Sequence, residues 1–92
     1  MADFLHIFIN PKPGVTRDHV EQKLDGGLDW IRYYDKVYVV YTSSTVDMWQ
    51  ERLRELVKPE GSLFICKLDV SVRQGWMTEE FWDWLNREKK DG

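Results

Sequence analysis

Asp29 to Thr42, DWIRYYDKVYVVYT, is the stretch whose reading decides the fold; it holds one of the five tryptophans and all four tyrosines. Its second half is an unbroken run of β-favouring residues. Aromatic and β-branched side chains at this density belong on a pleated surface, and Asp35-Lys36 in the middle offers a point of reversal. The segment therefore reads as a β-hairpin with arms at 28–34 and 37–42. The first arm carries Asp29 and Arg32, whereas the second carries no charge. Charges on an edge strand discourage sticking, so the first arm is expected at the rim of the sheet and the second inside it.

Outward from the hairpin, Phe4 to Asn10 forms a compact apolar run closed by the turn residues Pro11-Lys12-Pro13-Gly14. As a strand it places Leu5, Ile7 and Ile9 on one face and Phe4, His6 and Phe8 on the other, both largely apolar, which marks a central position. A helix over 16–25 follows, with Thr16 as its cap, Val15 and Val20 as a hydrophobic staple, and Gly26-Gly27 as its stop. After the hairpin, Val46, Trp49, Leu53, Leu56 and Val57 make an amphipathic stripe that predicts a helix over 45–57, opened by a capping-box-like pair of Ser44 and Asp47. Residues 62–70 read as a further edge strand, with Phe64, Cys66 and Leu68 opposed to Leu63, Ile65 and Lys67. Residues 71–76 read as a loop. A last helix is expected over 78–88, with Glu79 and Glu80 at its positive end, Phe81, Trp82, Trp84 and Leu85 on its apolar side, and a frayed tail from Asn86 onward.

Strand, helix, strand, strand, helix, strand is the order of a ferredoxin-like α+β fold, with a four-stranded antiparallel sheet in the order 4-1-3-2 and an extra C-terminal helix. Ninety-two residues make a single domain, 1–92, with a thin core. Two helices cover one face of such a sheet. The opposite face is still apolar and needs a cover: the tryptophan-rich last helix, a second copy of the chain, or both. A homodimer burying that face or the 62–70 edge is the expectation. The net charge of −3 and the interleaving of basic with acidic residues weigh against nucleic acid as the favoured partner. A single cysteine, Cys66, excludes an internal disulfide. The short apolar start without a basic leader, and the lack of any long apolar stretch, predict a cytoplasmic protein with no membrane segment.

Several of these features together resemble the SinR-like family: the turn at Lys12-Pro13-Gly14, the Trp-bearing strand leading to Tyr34-Asp35-Lys36-Val37-Tyr38-Val39-Val40, the Ser-Ser cap, and Leu63-Phe64-Ile65 followed by Lys67-Leu68. That family is similar in turn to the small CRISPR-associated ferredoxin-like endonucleases and the toxin-type ribonucleases. The resemblance spans residues 4–70 and implies the fold and a dimer. Nuclease relatives carry a metal-holding acid at the end of the first strand, where this chain has Ile9 and Asn10. Asparagine brings no charge to a hard cation such as Mg²⁺.

No catalytic motif appears. His6 and His19 stand apart from any set of metal ligands, Cys66 sits on an apolar strand face as a buried inert thiol, and Ser43 and Ser44 serve as helix openers. Asp25, Asp29 and Asp69 read as turn-forming or edge-protecting acids. Arg73-Gln74-Gly75-Trp76 is the stretch that suits contact with a base or a partner chain, unless Trp76 merely pins the last helix. Arg32 can join Arg17 and Arg73 in a modest basic patch, and of Trp82 and Trp84, two apart on a helix, one should face outward. The expected binding residues are Arg32, Arg73, Gln74, Trp76 and Trp84, with no catalytic residue, metal or cofactor. The functional expectation is a non-catalytic, dimeric protein-interaction module. The alternative is a metal-dependent endonuclease or nucleic-acid-binding protein.

Overall fold

The computed structural model describes residues 2–71 and 73–90. Seven elements succeed one another: β1 (Asp3–Asn10), α1 (Arg17–Leu24), β2 (Asp29–Tyr34), β3 (Val37–Thr42), α2 (Val46–Val57), β4 (Ser62–Leu68) and α3 (Glu79–Lys90). The hairpin forms as its sequence directs, with Asp35-Lys36 at the tip and Lys36 in the left-handed region at φ 64°. All pairings are antiparallel and the sheet order is β2-β3-β1-β4, the expected 4-1-3-2 read from the other side. The uncharged β3 lies inside and the charged β2 at the rim. This is a ferredoxin-like βαββαβ fold with an added C-terminal helix.

Register fixes which side chains share a face. His6 lies opposite Val39 on one side and Cys66 on the other, and Phe8 lies opposite Val37 and Phe64. On the face covered by α1 and α2, Leu5, Ile7 and Ile9 of β1 meet Val20, Leu24, Trp49 and Leu53 in a fully closed core. Trp49 is completely buried there, and its indole N–H donates to the buried Thr42 Oγ1 at 3.1 Å. The Arg52 guanidinium stacks 4.8 Å over the same ring, which adds a cation–π attraction to the packing.

The second face is covered by α3. Its Trp84 and Leu85 close over Phe4 and Val39, with Ile31, Tyr33, Tyr41 and Leu68 packed around them. Among the described residues no helix is long and apolar enough to cross a membrane.

Local expectations shift by small amounts, each for a physical reason. Thr45, not Ser44, caps α2: its hydroxyl accepts from Met48 N, while Ser44 Oγ accepts from Arg52 instead. Thr16 caps α1 as expected, and His19 Nδ1 accepts from the Thr16 N–H to complete the box. β4 stops at Leu68 and not at Val70, because Asp69 Oδ1 accepts from both the N–H and the hydroxyl of Ser71 and turns the chain. The tail expected to fray from Asn86 is helical through Lys90, with Asn86 and Arg87 both tied to other elements, and its last two residues, 91–92, lie outside the described residues. Cys66 is half-buried where a buried thiol was expected.

Candidate functional site

α3 does not reach the whole of the second face. It covers the end that holds Phe4 and Tyr41, and its first turn passes over Tyr33. A row of rings runs on from there. Trp82 meets Phe81 at 5.5 Å between centroids, Phe81 meets Tyr33 at 5.5 Å, Tyr33 meets His6 at 6.3 Å, and His6 meets Phe64 edge-on at 6.4 Å. These are ordinary attractive aromatic spacings. The row begins under the helix and crosses the sheet to its β4 rim, where Phe64 is 59% exposed.

The other end of the row leads to Trp76, which is 100% exposed. Its segment is held in place. Arg73 donates to Val70 O at 2.7 Å and to Asn86 Oδ1 at 2.5 Å, and Thr78 Oγ1 accepts from Phe81 N to start α3. At Gly75 an added Cβ would stand 3.8 Å from the Trp82 ring, so the chain passes beside the aromatic row just before Trp76. Trp76 and the neighbouring Met77 thus project from an anchored loop.

The polar chemistry within the row is modest. Tyr33 Oη lies 3.4 Å from His6 Nδ1, and burial, followed by charge on the nearby Cys66, raises the Tyr33 phenol above its usual value. At the far end of α3, Arg87 reaches Asp29 Oδ2 at 3.3 Å and Glu88 Oε1 at 3.5 Å. Glu88 shares a hydrogen bond with Asp29 and is partly buried, so its carboxyl is raised. Burial pushes Asp29 up as well, but hydrogen bonds from Glu88, the Trp30 N–H and Arg87 outweigh it and hold Asp29 below the usual carboxylate value. These three side chains fasten the end of α3 to the start of β2. The buried Trp84 Nε1 closes no hydrogen bond of its own.

The residues singled out from the sequence do not form one group. Arg32 lies on the α1 side, 3.7 Å from Glu21, which also pairs with Arg17 at 4.0 Å. Arg73 is on the α3 side, so the two arginines make no joint patch with it. Gln74 and Trp76 are on the exposed loop. Trp84 is only 5% exposed and packs edge-on to Phe4 at 6.1 Å, while its neighbour Trp82 is the half-exposed member of the pair. Sequence reasoning missed His6, Tyr33 and Phe64 as members of one surface. The alternation of each strand was visible, but only the cross-strand register brings the three together.

Among the described residues no three His, Cys, Asp or Glu side chains cluster so as to hold a metal ion. In comparisons with known proteins the chain matches no family model, no curated protein and no solved structure.

Proposed function

We propose that this chain is a non-catalytic contact module that pairs with a second copy of itself through the half of the second sheet face left open by α3. The observation that carries this reading is the aromatic row, covered by the helix at one end and bare at Phe64, with Trp76 fully exposed on the loop that leads into the helix. Exposed apolar surface of this kind marks contact sites in soluble proteins, and aromatic anchors supply most of the energy of an interface. A two-fold pair buries the same patch on each copy, so Phe64 and Trp76 count twice. The dimer implied by the SinR-like resemblance supports the same arrangement. A single free thiol, Cys66, suits the cytoplasm. The nuclease alternative lacks a carboxylate at Ile9 and Asn10, the positions where its relatives hold metal.

Light scattering over a concentration series tests the proposal. The wild type is expected to pass from one chain to two as concentration rises, and Phe64→Asp to remain a single chain with an unchanged circular dichroism spectrum. A wild type that stays a single chain at about 1 mM, where even a weak pair associates, would sink the idea. Mg²⁺- or Mn²⁺-dependent cleavage of single-stranded RNA, lost on changing Asp29 or Asp69, would instead favour the nuclease.

A further inference from the structure

We infer that the outer edge of β4, together with the cleft between β4 and α2, takes an extended, acidic peptide segment of another protein as a fifth strand. β4 is the last strand of the sheet, and its outward N–H and C=O groups are the one long set of backbone partners that the fold does not use on this side. Of the devices that usually blunt such an edge, a single lysine is present. Between Ser62 and Leu68 there is no proline, the register against β1 runs without a bulge, and the single charge, Lys67, lies 3.6 Å from Asp3.

Beside this edge lies a cleft of about 600 Å³, between Val46, Arg54 and Lys58 of the α2 segment and Leu63 and Ile65 of β4. A strand laid along β4 directs alternate side chains into it, where Val46, Leu63 and Ile65 receive apolar groups. Main-chain bonds along the edge give affinity, and the cleft gives selectivity.

The charge at the mouth of the cleft chooses the occupant. The chain as a whole is acidic at −3, yet here Lys58 is exposed and has no ion-pair partner among the described residues, and Arg54 has only a loose 3.9 Å contact with Glu51. Two under-used cations beside an open edge select carboxylates. A second β4 does not supply them: Ser62–Leu68 contains no acidic residue, so self-pairing along this edge would leave Arg54 and Lys58 unanswered. This surface meets the aromatic row only at Phe64, which lines the cleft as well; His6 and Tyr33 lie on the opposite face of the sheet.

The test is a ¹⁵N-edited NMR titration with a blocked synthetic heptapeptide, Val-Thr-Glu-Thr-Val-Thr-Glu, which as a strand presents valine and glutamate on the same face, set against its counterpart with lysine in place of glutamate. Shifts are expected on residues 46–58 and 62–68, with the glutamate peptide binding about tenfold more tightly. The exposed double variant Arg54→Glu/Lys58→Glu should reverse that preference. Methylating alternate backbone nitrogens of the glutamate peptide should abolish binding. Equal affinity for the two peptides, no shifts at millimolar peptide, or shifts centred on His6 and Trp76 would overturn the proposal. So would β4 edge amides already protected from hydrogen exchange in the peptide-free protein, which would place a second copy there.

Discussion

The two faces of this sheet use the same kinds of residue and end in different states. On the α1/α2 face every large side chain at the centre is sealed, and even the polar atoms of Thr42 and the Trp49 indole are paired with each other. On the α3 face one helix does the work of two. It closes over Phe4, Val39, Trp84 and Leu85, leaves the Trp84 N–H without a hydrogen bond, and stops short of Phe64. The first face concentrates the stability of the domain. The second divides into a part that α3 covers and a part that it leaves open.

That contrast can be broken most easily with the two buried tryptophans. Trp49→Ala should cost about 3–5 kcal/mol in urea unfolding, because it opens a cavity in a closed core and removes one of the two hydrogen bonds that Thr42 Oγ1 accepts. Trp84→Ala should cost about 2 kcal/mol, since a single covering helix relaxes more readily than a sealed layer. Equal losses would mean that the second face is as firmly built as the first.

The helix caps sharpen the same point. Thr45→Ala removes the bond to Met48 N and should lower global stability by about 1 kcal/mol. Thr78→Ala removes the equivalent bond to Phe81 N, and here the expected change is faster hydrogen exchange within α3 with little change in the global unfolding midpoint. A global loss from Thr78→Ala as large as that from Thr45→Ala would show that α3 and the core unfold as one unit.

A smaller effect concerns pH. Glu88 is raised in the folded state, so its contribution is full below its unfolded value and is lost as pH rises through its folded value. Asp29 is lowered, so its contribution is present above its unfolded value and is lost as pH falls through its folded value. The attachment of α3 should therefore be firmest in mildly acidic solution and loosen toward both neutral and strongly acidic pH. Hydrogen exchange of α3 amides from about pH 4 to about pH 7 measures this, and Glu88→Gln should flatten the neutral side. The size is limited because Arg87 and part of Asp29 face solvent. Smallest of all, Phe64→Ser should change folding stability by less than about 0.5 kcal/mol, since the side chain is mostly in water already.

Elements and sheet order were legible because each rests on local chemistry. The alternation in Val37–Thr42, the stripe from Val46 to Val57 and the Thr16 cap announce themselves within a few residues. The division of the second face was not legible. Whether Trp84 or Trp82 turns inward depends on where Thr78 starts α3 and how the helix crosses β2, and the His6–Tyr33–Phe64 grouping depends on the β1–β4 register. Arg32 and Arg73 looked alike in the sequence, but Glu21 holds the first and Asn86 the second on opposite sides of the sheet.

The most direct test of a contact surface on the open half-face is solvent accessibility measured by NMR with a soluble gadolinium chelate at low and high protein concentration. The account predicts that His6, Phe64 and Trp76 become shielded as concentration rises, while Leu28, exposed elsewhere on the molecule, keeps its relaxation enhancement. Equal exposure of Phe64 and Trp76 at all concentrations, or shielding that spreads evenly to Leu28, would contradict it.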